Sequence, residues 1–304
     1  MKLRIECPPC LVNRAYVESE KASMDPEVRL RALLEAVRQI GYNIRPDVTP
    51  AYLGTIRDRA IKQASDNPDP FKEDKAASNE AALRLMPIAQ GYVQNGADES
   101  ERLRRACLVS IVGNAFEFGI RGYEFSYDDL PRLIENAEKD IAIDDITKFE
   151  LICEKVEHAL LLTDNAGEII FDKILVGQLK RMGLRVAVAV KAAPISNDAT
   201  MEDALVANMA EAADRVITTG TDSVGLLIEE CSKDFLNTYT EAGLVIAKGM
   251  AHYETLSESR MAQPHIFLFR VKCTAIGSDL GVPLGKNVAY LVEPEPLEGQ
   301  GASS

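Results

Sequence analysis

Asp164 and Asn165 stand side by side in the segment TDNAGE (163–168), directly after the apolar run HALLL. Two adjacent side chains with hard oxygen donors suit Mg²⁺, Mn²⁺ or a similar cation. Gly167 lets the chain turn and approach a ligand closely. Glu168 falls in the first turn of the helix expected to follow. The same residues also make an ordinary helix start, with Asp164 or Asn165 as the cap and Glu168 matching the helix dipole. The hexapeptide alone leaves both readings open.

A second polar cluster follows Lys191 in KAAPISNDAT (191–200), which contains Asn197, Asp198 and Thr200. Asp198 and Thr200 can cap the next helix. If their strand lies beside the one ending at Asp164, the two carboxylates and an amide oxygen converge. That arrangement costs repulsion unless a cation sits between them, with waters completing its shell. Lys248 ends the run LVIAK and precedes Gly249. Its ammonium is expected to project into the same crevice, as a point charge suited to phosphate; elsewhere a lone lysine is a solvated surface residue. The segment TTGTDS (218–223) offers Gly220 and hydroxyl groups at an expected helix start, which reads as an anion contact or as an ordinary turn and cap. Metal, lysine and helix N-termini together suit phosphoryl transfer.

The elements that must position these residues follow from the apolar pattern. In the second half, short and mostly β-branched runs occur at 158–164, 185–191, 214–220, 244–249, 265–271 and 287–293, with helical segments between them. Alternation of this kind implies a mainly parallel, doubly wound sheet in a three-layer α/β/α sandwich. Ligands of such sheets sit beyond the carboxyl ends of the strands, where the polar clusters fall. The first half reads as helices. EVRLRALLEAVRQI carries Val28, Leu30, Leu33, Leu34, Val37 and Ile40 at helical spacing. Thr49 caps a helix with Pro50 in its first turn. Two more helices are expected, one over 72–95 with Pro87 at a kink or boundary and one over 99–115 with Leu103, Cys107, Val109 and Ile111 inward. No strand is expected before about 155. The division is therefore a helical N-terminal subdomain (1–150), an α/β/α catalytic domain (151–295) and a mobile tail (296–304).

Composition narrows the function classes. The 304 residues are 46% hydrophobic and 27% charged, ordinary globular usage that excludes disorder of the whole chain. The formal net charge of −13 disfavours general nucleic-acid binding. No apolar run approaches the roughly 18 residues of a membrane span, and MKLRIECPPC lacks a signal-like apolar stretch, so a cytoplasmic location is expected. The 6 cysteines are too sparse for a disulfide scaffold. The close pair Cys7 and Cys10 reads as two packed thiols opening the first helix, as a disulfide, or as a substrate-side pair. His158 and His265 begin strands, away from the expected active edge, and read as structural. H-E-x-x-H, G-x-S-x-G, the P-loop and a G-x-G-x-x-G after the first strand are absent. Asp-x-Asp is absent at that strand end too, which favours direct attack by metal-activated water over a phospho-aspartate.

DNAGE (164–168), KAAPISNDAT (191–200) and AKGMAHYE (247–254), in this order and spacing, resemble the metal-dependent damage-control phosphatase family, formerly a domain of unknown function. NPDPFKEDKAASNEAAL (67–83), VGNAFEFG (112–119) and VKCTAIGSDLGVPLG (271–285) support the resemblance, and CPPC is similar to the branch with N-terminal paired cysteines. The resemblance implies a helical part packed on an α/β/α sandwich and hydrolysis of small phosphomonoesters, such as sugar phosphates or damaged phosphometabolites. It implies a divalent cation, Mn²⁺, Co²⁺, Ni²⁺ or Mg²⁺, held by Asp164, Asn165 and Asp198. Asp164 and Asp198 are thereby catalytic, Lys248 binds phosphate, and Glu168 orients water or contacts substrate. Asn114 and Asn197 are further substrate contacts. The family pattern has Asn where this chain has His252, which changes shape and adds an imidazole at the substrate pocket. The expected partner is a small phosphorylated metabolite, with no nucleic acid and no membrane; oligomeric state is left open. The alternatives are a carboxyl methyltransferase using S-adenosylmethionine, disfavoured by the single glycine of LLTDNAGE, and a non-catalytic phosphosugar- or metal-binding module.

Overall fold

The computed structural model describes residues 1–115, 127–259 and 261–294. The expected segment 112–119 is covered only to 115, and the tail 296–304 lies outside the described residues. The chain opens with α1 (Cys7–Ala22), α2 (Pro26–Asn43), α3 (Pro50–Ser65), α4 (Lys72–Gln94) and α5 (Glu99–Gly113). Short helices α6 (Leu130–Glu135) and α7 (Ala137–Asp140) lead into β1 (Ile141–Asp144) and α8 (Ile146–Cys153). Then come β2 (His158–Leu162), α9 (Glu168–Arg181), β3 (Arg185–Val190), α10 (Met201–Val206) and β4 (Arg215–Thr218). The remainder is α11 (Lys233–Glu241), β5 (Leu244–Lys248), α12 (Gly249–Leu256), β6 (His265–Arg270), α13 (Thr274–Leu280) and β7 (Asn287–Val292).

Among the described residues one 7-stranded sheet runs in the order β1-β7-β6-β5-β2-β3-β4. All neighbours are parallel except β6 and β7. The α/β fold and mostly parallel sheet agree with the sequence reading. Side chains alternate between two cores, as the strand period of two requires. Leu161, Val188 and Ile246 face α5 and α9, packing with Ile111 and Phe171. Leu160, Ala189, Val245 and Ala247 face the opposite layer, with Phe235 of α11 and Tyr253 of α12. Each fully buried Leu, Ile, Val or Phe contributes roughly 1.5–3 kcal/mol.

Two expectations fail. β1 is a strand inside the stretch read as helical, parallel to β7 at the sheet edge. IAID is too short, and only alternately half-buried, to stand out as an apolar run. In α2, Leu30, Leu34 and Val37 are exposed, and Ala32, Ala36 and Ile40 are the buried face. Small alanines let α2 approach α1 and α3 closely, where Ala15, Ala22 and Ile61 complete the contact. No helix among the described residues is long and apolar enough to cross a membrane.

Candidate active site

The sheet order reverses at β2, which has β3 on one side and β5 on the other. That is the switch point where open sheets place their ligands. The loops leaving β2 and β3 are joined by backbone bonds from Ala199 N to the Asp164 carbonyl (2.7 Å) and from Ala166 N to the Asn197 carbonyl (2.9 Å). Asn165 and Asp198 form an antiparallel bridge between them. Asp164 and Asp198 thereby reach the wall of one cavity of about 570 Å³. The α10 start is a capping box of Thr200 and Asp203, so Thr200 has the capping role and Asp198 does not.

Asp164 is held by its neighbours. Its Oδ2 accepts from the Asn114 amide (2.8 Å) and from the Asn165 amide (2.9 Å). Both amides also donate to Glu168 Oε2, at 2.9 and 2.8 Å. Asn197 Nδ2 donates to Asn165 Oδ1 at 2.8 Å. Asn114, Asn165, Asn197 and Glu168 are at most 3% exposed. Asn114, Asn197 and Glu168 orient the Asp164 and Asn165 side chains from behind, and none of the three is among the residues that line the cavity.

Lys248 is fully buried, contrary to the expected projection into the crevice. It shares the strand face of Leu244 and Ile246, which is the α5–α9 side. There its ammonium donates to the Ser110 carbonyl at 3.0 Å and pairs with Glu168 and Asp172. Burial opposes its charge, but Asp172 and Glu168 outweigh burial and hold its pKa above the lysine range. Burial pushes the Asp172 carboxyl up to about 6, with the Lys248 charge opposing. Lys272, which follows β6, does line the cavity, as do Arg14 and Arg57, and it donates to the Asn114 carbonyl at 2.6 Å. Its segment belongs to the quoted pattern 271–285, yet nothing in the residue types singled it out.

Glycines decide two close approaches. A Cβ at Gly249 (φ +81°) would fall 2.0 Å from Asp164 Oδ2, so this glycine is the space the carboxylate occupies. Gly167 (φ +77°) donates its N–H to Asn79 Oδ1 at 2.7 Å, and a Cβ there would press on the Ser78 backbone. Asn79 also donates to Asp203 at 2.7 Å, so α4 fixes the turn into α9 and the start of α10. Of the two readings of Gly220, the geometry shows a turn, with φ +86°. No helix starts there; Thr221 Oγ1 donates to Glu230, and Asp222 pairs with Arg59 and Lys62. His252 is 1% exposed, bonded through Nδ1 to the Lys248 carbonyl, and does not line the cavity. His158 is exposed at the start of β2, and His265 is buried between Tyr239 and the Gln263 carbonyl. Cys7 and Cys10 are free thiols in the first turn of α1 and both line the cavity.

Among the described residues no three His, Cys, Asp or Glu converge on a metal position. The candidate donor set is two carboxylates and an amide, Asp164, Asp198 and Asn165. These are hard oxygen donors that fit a divalent cation completing its shell with water, and the Asn165 amide oxygen keeps a second lone pair beyond its bond from Asn197.

The damage-control phosphatase ARMT1-like domain model matches residues 4–288. The chain is 34% identical over 292 residues to an uncharacterised protein of Methanocaldococcus jannaschii, covering 95% of each. It is 34% identical to a damage-control phosphatase of Archaeoglobus fulgidus, covering 96% of this chain and 100% of the other. A crystal structure of a DUF89 family protein from Pyrococcus horikoshii superposes with a TM-score of 0.85 at 32% identity, covering 97% of this chain and 100% of that one. The loops that set Asp164 and Asp198 on one cavity wall thus lie within a matched span that takes in almost the whole chain, and the protein belongs to the damage-control phosphatase family with the ARMT1-like domain.

Proposed function

We propose that the protein is a metal-dependent phosphatase of small phosphomonoesters, with Asp164, Asn165 and Asp198 holding the cation. The observation that carries this reading is the pairing of the β2 and β3 loops, which sets Asp164 and Asp198 on a cavity wall shared with Lys272. A divalent cation held there, Mn²⁺, Co²⁺, Ni²⁺ or Mg²⁺, supplies a Lewis acid for the phosphate oxygens. Lys272 neutralises phosphate charge from the same wall. Glu168, Asn114 and Asn197 act as positioning residues: they fix the Asp164 and Asn165 side chains so that little reorganisation is needed when substrate binds. Lys248 neutralises Glu168 and Asp172 beneath them.

The test is p-nitrophenyl phosphate hydrolysis by chelator-stripped protein, with each cation returned singly. Turnover is expected to return with the cation in the wild type and to be lost in folded Asp164→Ala and Asp198→Ala. Full activity in either variant removes that residue from the site. A folded wild type that stays silent with every cation overturns the reading.

A further inference from the structure

The two carboxylates of the site are backed differently. Asp164 Oδ2 rests on neutral amides, those of Asn114 and Asn165. Asp198 Oδ2 has instead the ammonium of Lys191 at 3.5 Å. Asp198 lines the cavity, whereas Lys191 is 1% exposed and is not among the lining residues. A full positive charge is thus buried behind Asp198, where Asp164 has only amide dipoles. Burying an ammonium is costly, so its placing calls for a physical account.

The placing is built from several elements. Lys191 directly follows β3, and its backbone bridges to Thr200 beyond Asp198. Its ammonium donates to the Gly225 carbonyl. The chain on either side of that carbonyl is pinned. Val224 N–H donates to Thr55 Oγ1 of α3 at 2.9 Å, and Leu226 N–H donates to Thr255 Oγ1 of α12 at 3.1 Å. His252, also on α12, adds no charge here, because burial, with the Lys191 charge adding, lowers its pKa to about 3. The Asp198 loop is set by its own backbone. Asp198 N–H donates to the Ile195 carbonyl at 3.0 Å, beside the bonds of Ala199 and Ala166 that join it to the β2 loop. At 3.5 Å the contact of Lys191 with Asp198 is an ion pair with little directional character. Lys191 therefore acts on the site through its charge.

The sign of that action follows from the cavity. Among the described residues its lining acids, Glu6, Asp164, Asp198 and Glu254, outnumber its lining bases. That balance attracts a divalent cation and repels a phosphate ester. Charges out of solvent are screened little, so Lys191 opposes a cation on the cavity side of Asp198 and favours an anion there. We propose that Lys191 is a positioning residue that acts through Asp198, weakening the grip on the cation and strengthening the grip on the phosphate group. The proposal rests on the phosphatase reading and adds a residue to its machinery.

Calorimetry on the full chain tests it in two titrations, Mn²⁺ into chelator-stripped protein and inorganic phosphate into Mn²⁺-saturated protein. The variants are Lys191→Met and Lys191→Gln, the second keeping a donor that can face Gly225. In both, Mn²⁺ is expected to bind about tenfold tighter and phosphate about tenfold more weakly. KM for p-nitrophenyl phosphate is expected to rise with the phosphate dissociation constant. A merely structural lysine would weaken both ligands together. That pattern, or two affinities that stay at the wild-type values, overturns the proposal. Loss of folding in both variants makes Lys191 structural and overturns it as well. A wild type that binds Mn²⁺ and phosphate without turnover overturns the phosphatase reading alone, and one that binds no Mn²⁺ overturns both.

Discussion

Lys248 and Lys272 are both nearly inaccessible, at 0% and 2% exposed, yet they face different surroundings. Lys248 lies between two buried carboxylates, Glu168 and Asp172, and a carbonyl. Removing it leaves those carboxylates uncompensated in the interior. Breaking a buried pair in this way costs roughly 3–5 kcal/mol. Lys248→Met is therefore expected to lower stability by that amount in urea unfolding. Lys272 donates to the carbonyl of Asn114, the residue that caps α5, and lines the cavity. Lys272→Met is expected to cost about 2 kcal/mol of stability, the usual size for a hydrogen bond from a charged group, while raising KM for a phosphomonoester tenfold or more. The opposite pattern, a stable Lys248→Met with raised KM, would return the phosphate to Lys248. Strand alternation put Lys248 on one of two faces; only the packing of α5 and α9 determined which.

At the scale of elements, the helical half grips the loop that carries Asp198. Ser196 is held in the left-handed region (φ +47°), a conformation that few residues other than glycine adopt. Its N–H donates to Asp58 Oδ2 at 2.7 Å, and Lys62 reaches the Pro194 carbonyl at 2.5 Å. Asp58→Ala removes the acceptor and frees the loop, whereas Asp58→Asn keeps an amide oxygen there. Groups that orient metal ligands typically contribute tenfold to a hundredfold in affinity. Calorimetric titration with Mn²⁺ is expected to show a loss of that size for Asp58→Ala and a smaller one for Asp58→Asn. Equal affinity in Asp58→Ala and wild type would mean that the β2 and β3 loops need no support from α3. This grip was invisible in the sequence, because Asp58 lies 138 positions from Ser196 in an unremarkable helical stretch. The strands β2 to β7 were legible, since buried parallel strands are short apolar runs that contrast with their flanks. The Asp164–Asp198 convergence was legible for the same reason, as both follow such runs. The face of α2 was not, because large apolar residues dominate a periodicity pattern while alanines made the contact.

Over the whole molecule, buried titrating groups oppose one another in their effect on stability. Burial lowers the pKa of His265 to about 4 and, with Lys191 adding, that of His252 to about 3. The unfolded chain then binds more protons below the ordinary histidine value, so this stability is complete above about pH 6.5 and falls away in acid. Glu18 runs the other way. Burial, with the Asp58 charge adding and Arg57 opposing, raises it to about 8. The folded state keeps that proton longer than the unfolded one, so its stability is complete below the ordinary glutamate value and drains as pH rises through about 8. Glu18 joins α1 to α3 through Arg57, behind the wall of the cavity. Ionising it places a second negative charge beside Asp58, the residue that supports Ser196. Glu18→Gln isolates this contribution, because every other titrating group is common to both proteins. The urea-unfolding free energy of the wild type minus that of Glu18→Gln is expected to fall by about 2 kcal/mol between pH 6 and pH 8. A constant difference across that window would mean that Glu18 is already ionised at pH 6 and that Arg57 outweighs its burial. A falling difference means that mild alkali loosens the α1–α3 wall, and KM for a phosphomonoester should then rise over the same interval in the wild type and stay level in Glu18→Gln.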